Sequence, residues 1–209
     1  MKIKGIAFLL ILIVMTQIAS HTHAYNPPPM KWNKTYGGTS SDMAYSAQQT
    51  NDDGYVIAGY TSSLGAGGPD FWLVKTDSNG NAEWNETYGG TLEDEAYAVQ
   101  QTNDNGYILA GSTSSFGSGF SDFWLVKTDS NGEATWNKTY GGPRWDVAYS
   151  VQQTSDEGYI TAGSTNSFGS GSEDFWLIKT DQNGMMQWNK TYGGLYDDRA
   201  YSVQQTKEG

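Results

Sequence analysis

The side chains of this sequence best suited to acid–base chemistry are carboxylates. Glu93, Asp94 and Glu95 are consecutive, and glycoside hydrolysis requires two carboxylates, one as acid and one as base or nucleophile. Asp94 also belongs to a set that recurs every 52 residues, at Asp42, Asp94, Asp146 and Asp198. Such a ring of oxygen ligands could bind Ca²⁺. Alternatively, each aspartate accepts backbone N–H bonds within its own turn.

Most other catalytic chemistry is excluded by residue types that the sequence lacks. There is no cysteine, and the two histidines, His21 and His23, precede the predicted signal cleavage site. Ser-His-Asp and Cys-His catalysis and the usual zinc sites therefore lack essential groups. We predict a protein that is not an enzyme, with no catalytic residues and no cofactor, Ca²⁺ being the alternative. The rival prediction is a carbohydrate-active hydrolase that uses loop carboxylates.

These residues lie in a repeat that has no insertions or deletions. The motif Trp-Asn-x-Thr-Tyr-Gly-Gly begins every 52 residues, at Trp32, Trp84, Trp136 and Trp188. A period near 50 made of short strand-like segments is typical of propeller blades and related arrays. The repeats therefore predict one β domain over residues 32–209.

Each repeat contains four segments of strand length. In the second repeat these are residues 96–102, 106–113, 122–129 and 134–140, which are rich in aromatic and β-branched residues. Asp-x-Gly and Asn-Gly sequences separate the first from the second and the third from the fourth, and they supply the positive φ of tight hairpins. The pattern predicts an antiparallel four-stranded meander. The tryptophans at the repeat starts and at Trp72, Trp124 and Trp176 are predicted to be core.

This organisation resembles a β-propeller blade of the kelch type. The residues that carry the likeness are the glycine-terminated strand 108–111, the acidic-aromatic strand 122–126 and Trp136, although Ala110-Gly111 stands where kelch blades carry Gly-Gly. The chain is also similar to the tryptophan-bearing repeats of quinoprotein-like propellers. The resemblance implies an all-β, β-propeller-type array of four-stranded antiparallel blades.

The number of repeats is too small for a closed ring. The sequence opens on a fourth strand at residues 32–36, continues through three complete sets and closes on a first strand ending at Thr206. This predicts about fourteen strands and about three and a half repeats, whereas closed propellers have four to eight blades. We expect an incomplete propeller, a piece of a longer protein, or a ring completed by a homo-oligomer.

Comparison of the repeats separates two faces of the array. The turns after the first and third strands are nearly invariant, whereas the second-to-third loops and the loops between repeats vary. Because turns alternate between the ends of a meander, the variable loops share one face. This variable face is the predicted ligand-binding site, with Phe120, Arg144, Trp145 and Tyr196 as aromatic and cationic contacts and Asp94, Asp146 and Asp198 as acidic ones.

The N-terminal residues have the layout of a secretory signal. Lys2 and Lys4 precede an apolar run over residues 5–19, and Ala24 ends a small-x-small cleavage site. We predict a signal peptide over 1–24, a Pro-rich leader over 25–31, and a secreted, extracellular or cell-surface location without membrane insertion after signal removal. A net charge of −11 disfavours nucleic acid as a partner.

Four Asn-x-Thr sequons follow the repeat-start tryptophans, and they are glycosylation candidates if exposed: Asn33, Asn85, Asn137 and Asn189. The alternative is that Asn and Thr pair with neighbouring strands. Taken together, the sequence predicts an exported, non-enzymatic binding or adhesion protein whose ligand is a glycan or an extracellular protein. A purely structural surface-layer component is the remaining alternative.

Overall fold

Twelve antiparallel strands form the described part of the chain. The computed structural model describes residues 30–207; most of the predicted signal peptide and leader, residues 1–29, lies outside them. The strands are β1 Asp42–Gln49, β2 Tyr55–Thr61, β3 Asp70–Thr76, β4 Ala82–Tyr88, β5 Asp94–Gln101, β6 Tyr107–Thr113, β7 Asp122–Thr128, β8 Ala134–Tyr140, β9 Asp146–Gln153, β10 Tyr159–Thr165, β11 Asp174–Thr180 and β12 Met186–Tyr192. Residues 30–207 contain no helix, and thus none that could cross a membrane.

The strands form three four-stranded sheets, each following chain order as a meander. The all-β fold and the repeated blade-like architecture predicted from the sequence are thereby confirmed. The array is propeller-like and incomplete, because no strand pairing closes the three sheets into a ring. All the described sheets belong to one compact unit that begins at Lys31.

The core lies between consecutive sheets. Between the first and second sheets, Phe71 packs edge-on against Trp124, with ring centroids 4.5 Å apart. Phe123 and Trp176 repeat this contact at 4.7 Å between the second and third sheets. The second sheet thus buries both of its faces, one against each neighbour, and such burial is the main source of stability in stacked repeats.

Two of the predicted fourteen strands do not form. Residues 32–36 and the segment that ends at Thr206 have no strand pairing, because the described chain has no third strand beside the former and no second strand beside the latter. They still occupy the expected positions: the Tyr36 hydroxyl donates to Gly80 O at 2.7 Å, as Tyr88 does to Gly132 O. The prediction that Trp188 is core is wrong, since this side chain is exposed.

The inner edges of the sheets are joined by glutamine side chains. Gln48 Oε1 accepts the backbone N–H of Gln101, and Gln100 Oε1 accepts that of Gln153, both at 2.6 Å. Gln152 makes the same bond to Gln205. The first strand of each sheet is therefore tied to the first strand of the next, an arrangement that the sequence analysis did not identify.

The hairpin turns differ in which residue adopts positive φ. In the third-to-fourth turns the glycine does so, as predicted, with φ of 87° at Gly132. In the first-to-second turns the residue before the glycine does, with φ of 64° at Asn105. Gly106 is required there for space, since an added Cβ would lie 2.1 Å from Thr128 O. Because both kinds of turn lie at the same end of the sheets, we call that surface the turn face.

Candidate functional site

The variable face is built where loops of neighbouring sheets meet. At the second junction, the backbone N–H of Asp146 donates to Ser121 O at 2.8 Å, and Ser121 N–H donates to Arg144 O at 3.4 Å. Asp94 N–H makes the equivalent bond to Pro69 O at the first junction. These bonds hold each second-to-third loop against the loop that enters the next sheet.

An aromatic platform stands on the variable face at the second junction. The rings of Phe120 and Trp145 stack with centroids 5.7 Å apart and planes 6° apart. They remain 62% and 53% exposed, which is unusual for large apolar side chains on one patch. The structure therefore brings together two residues that interrupt the repeat pattern and that were predicted from the sequence to bind a ligand.

Arg144 adds a cation to the loop that carries Trp145. Its side chain is exposed, and no carboxylate of residues 30–207 forms an ion pair with it. Its backbone N–H donates to Ser167 Oγ at 3.1 Å. Arg144 also lines a shallow cavity of about 300 Å³ with Pro143 and the loop of residues 166–172. An aromatic surface and an unpaired guanidinium on the same face can stack on and hydrogen-bond to a polar ligand.

Tyr196 lies at the third junction rather than on the platform. It is 83% exposed and follows the exposed Leu195. Nearby, the Arg199 guanidinium donates to Glu173 Oε2 at 2.7 Å, and Ser172 Oγ donates to Asp197 Oδ1. This junction is therefore occupied by a polar network in place of the stacked rings.

Two of the recurrent aspartates, Asp94 and Asp146, have a structural role that corrects their assignment to the ligand site. Asp94 and Asp146 are fully buried. Asp94 Oδ1 accepts the Thr113 hydroxyl, while Oδ2 accepts Ser115 Oγ at 2.7 Å and the Gly90 N–H at 2.8 Å. A ligand on the surface cannot reach these carboxylates, because they already brace the loops from inside.

The two aspartates at the ends of the array are more accessible. Asp42 is half-buried and Asp198 is exposed. Asp42 keeps the same internal bonds, to Thr61, Ser63 and Gly38, and these bonds lower its pKa against the opposing effect of burial. Of the three internal bonds that Asp42 makes, Asp198 keeps only the equivalent of the glycine bond, from the Gly194 N–H at 3.1 Å. In residues 30–207 no group of three or more acidic, histidine or cysteine side chains could hold a metal ion.

Of the carboxylates that a hydrolase could use, Asp94 and Glu95 are already held in hydrogen bonds. Besides the buried Asp94, Glu95 Oε2 accepts the Tyr97 hydroxyl. Burial, followed by this bond, raises the pKa of Tyr97. Glu93 is exposed but has no second free carboxylate beside it in its own loop.

Three of the sequon asparagines support buried tryptophans. Asn85, Asn137 and Asn189 accept the indole N–H of Trp72, Trp124 and Trp176 at 3.1, 3.4 and 3.2 Å. These bonds are sufficient to explain why Asn recurs at this position, without any need for glycosylation. All four sequon asparagines, including Asn33, are exposed, and their glycosylation stays a prediction.

No family model matches the chain, so the kelch-like and quinoprotein-like resemblance stays a prediction. The chain is similar to the regulatory protein FlaEY of Caulobacter vibrioides, with 27% identity over 205 residues. That match covers 87% of this chain and 20% of FlaEY, so the chain spans about a fifth of that relative's length.

Among solved structures, the chain is similar to a protein of unknown function from Bacteroides caccae. The TM-score is 0.47 and the sequence identity 10%, over 79% of this chain and 50% of the other.

Proposed function

We propose that this chain is an exported, non-enzymatic binding protein that captures a surface glycan through its variable face. The observation that carries the proposal is the exposed, parallel stack of Phe120 and Trp145, with the unpaired Arg144 in the same loop as Trp145. Aromatic faces pack on the C–H surfaces of sugar rings, and a guanidinium donates hydrogen bonds to hydroxyl or carboxylate groups. A protein partner, anchored by the same aromatic residues, is the second candidate.

A binding role is favoured over hydrolysis by the state of the acidic residues. The Asp94 carboxylate is buried among hydroxyl and N–H donors, and Glu95 is held by Tyr97. Neither is placed as a free acid or base facing the platform. Chromogenic glycosides offered to the purified protein test the alternative, and release of the chromophore by the wild type but not by Glu93→Gln would favour a hydrolase.

The binding proposal is tested on a glycan array with the wild type and Trp145→Ala. We expect the wild type to retain specific glycans and the variant to lose them. Loss of one well-packed aromatic contact costs at least about tenfold in affinity. Circular dichroism of both proteins verifies that the fold is unchanged. Equal binding by the variant would remove the platform from the site.

We also propose that the chain associates with a second copy of itself. The outer face of the third sheet leaves Trp188 and Tyr192 exposed, and their counterparts Trp136 and Tyr140 pack against the next sheet. A second copy could cover these residues with its first sheet and extend the array. Light scattering after size exclusion tests this proposal: a discrete oligomer supports it, whereas a monomer across the accessible concentrations opposes it. A self-assembling polymer without any ligand would favour the structural surface-layer alternative.

A further inference from the structure

A groove of about 420 Å³ lies on the turn face between the second and third sheets. Its inner wall contains the half-buried indole of Trp136, which packs edge-on against Tyr159 at 5.7 Å. Its rim carries the amide side chains of Asn103, Gln153, Gln182 and Asn183, with Glu157 beside them. This groove is on the opposite face from the Phe120–Trp145 platform and has no part in the function proposed above.

A buried lysine forms the floor of the groove, and its charge is already balanced. Lys127 Nζ donates to Asp104 Oδ1 and Oδ2 at 3.1 and 2.8 Å and to Thr128 O at 2.7 Å. All three ammonium hydrogens therefore have protein acceptors. An anionic ligand gains little from this ammonium, and Glu157 on the rim repels it. The chemistry of the groove favours an uncharged ligand.

The rim supplies unused hydrogen-bonding groups. The side chains of Asn103, Gln182 and Asn183 make no hydrogen bond within residues 30–207; only the Asn103 and Asn183 backbone N–H groups do. Each amide offers a donor and an acceptor. Such amides suit vicinal hydroxyl groups, and the indole suits the C–H face of a pyranose ring.

One position on the fourth strands distinguishes this groove from the corresponding surfaces of the first and third sheets. The position holds Glu83 in the first sheet, Thr135 in the second and Gln187 in the third. Glu83 reaches over the groove floor to Lys75 Nζ at 2.9 Å, and Gln187 approaches Lys179 at 3.4 Å. Thr135 is too short to do so, and its hydroxyl instead donates to Lys127 O at 3.1 Å. The space that a longer side chain would fill is therefore open at the second junction.

We infer that this groove is a second binding site, specific for a neutral pyranose sugar, which Thr135 opens and a longer side chain closes. The chain itself supplies the matched variants. Thr135→Glu installs the residue of the first sheet, so it is compatible with the fold, and it covers Lys127. Glu83→Thr removes the corresponding cover from Lys75.

The experiment follows the indole N–H signals of Trp136 and Trp145 by NMR during titration with methyl β-glucopyranoside, methyl β-galactopyranoside and methyl α-mannopyranoside. For at least one sugar we expect the Trp136 signal to shift in the wild type and in Trp145→Ala. Affinity should fall at least about tenfold in Thr135→Glu, the loss that corresponds to about 1.4 kcal/mol. In Glu83→Thr the Trp84 signal should also shift, because a second groove is open.

The proposal is overturned if no sugar moves the Trp136 signal at millimolar concentration, or if Thr135→Glu binds as the wild type does. A Glu83→Thr protein that folds but gains no second site would also overturn the role assigned to position 135. Failure here is separable from failure of the platform, because Trp145→Ala alters only the variable face and Thr135→Glu only the turn face.

Discussion

The ring of Trp145 lies parallel to that of Phe120, across the junction between two sheets. The two residues belong to different loops, and the Asp146–Ser121 backbone bond holds those loops together. The platform is therefore a product of sheet stacking rather than of either loop alone. It is also pre-formed, so a ligand need not order it on binding.

Removal of Trp145 should leave the fold intact. Because its side chain is half exposed, Trp145→Ala is expected to change the free energy of unfolding by less than about 1 kcal/mol. The control is Trp124→Ala, which removes a buried ring between two sheets and should cost about 3–5 kcal/mol. Urea denaturation followed by circular dichroism measures both. A large loss in Trp145→Ala would reassign this residue to the core.

Asp122→Asn should stabilise the protein at neutral pH. Asp122 is buried, and its Oδ1 has no hydrogen-bond partner. Burial, followed by the charge of Asp146, raises the pKa of Asp122 above its usual value of 3.8. Asparagine removes the buried charge, and its amide can donate towards Asp146. We expect a gain of about 1–2 kcal/mol.

The stabilisation by Asp122→Asn should decrease as the pH is lowered. Because the folded-state pKa of Asp122 is raised, the folded protein holds this proton more tightly than the unfolded chain does. Compared with Asp122→Asn, the wild type is thus most stable below about pH 4. Its relative stability falls as the pH rises through the folded-state pKa of Asp122. The Asp122→Asn gain should shrink towards zero in acid, as urea titrations at several pH values would reveal. As a control, Asp146→Asn should destabilise, since Asp146 Oδ1 accepts the Thr165 hydroxyl while Oδ2 accepts Ser167 Oγ and the Gly142 N–H, and asparagine has only one acceptor oxygen.

The contribution of Asp156 to stability should have the opposite pH dependence. Hydrogen bonds from Thr154 and then from Lys179 lower its pKa from 3.8 to about 2. A lowered folded-state pKa contributes stability above the unfolded pKa, and this contribution disappears as pH falls from about 4 to 2. Since the side chain is 54% exposed, solvent screening limits the effect to a few tenths of a kcal/mol. Carboxyl NMR titration checks the pKa, and Lys179→Met should move it back towards the usual value.

Two substitutions of the sequon asparagine Asn85 test whether this residue recurs for its structural role or as a glycosylation site. Asn85→Ala deprives the Trp72 indole N–H of its acceptor and should lower the free energy of unfolding by about 1 kcal/mol. Asn85→Asp keeps an acceptor oxygen while destroying the sequon, so its stability should stay near that of the wild type. Both proteins are produced without a glycosylation system and compared by thermal unfolding. Equal stability of the alanine variant would show that the Trp72 bond contributes nothing.

The glutamine ties between sheets should contribute measurably. In Gln100→Ala the backbone N–H of Gln153 loses its acceptor, which should cost about 1–3 kcal/mol if water cannot replace it. Gln204 occupies the same repeat position but is exposed and accepts no bond from residues 30–207. Gln204→Ala is therefore the matched control, and it should be near neutral. Chemical denaturation of the two variants decides whether the tie is structural.

The sequence predicted most of the architecture because strand length, turn residues and the 52-residue period agree. The predicted segment 134–140 coincides with β8, and 122–129 differs from β7 by one residue. The edge segments 32–36 and the one ending at Thr206 were wrongly predicted as strands, because strand propensity does not say whether a partner strand lies alongside.

The candidate site was predicted less completely. Phe120, Arg144 and Trp145 were identified because they interrupt the repeat, but their proximity depends on contacts between sheets. Asp94 was misassigned, since a loop aspartate facing inward has the same sequence signal as one facing outward. The hairpin register, which pairs Asp94 with Thr113, could have revealed its internal role. Thr135 could not be predicted, because a change from Glu or Gln to Thr at an exposed strand position resembles ordinary surface variation until the reach of each side chain to the lysine is known.

The glutamine ties have a consequence for how such a chain can evolve. Gln48, Gln100 and Gln152 each bond to a backbone N–H 53 residues later, so every junction uses the same donor and acceptor positions. A duplicated 52-residue segment would arrive with both halves of this interface already matched to its new neighbours. Unequal recombination can thus lengthen the array by a whole sheet in one genetic event, while the loops of each copy diverge independently.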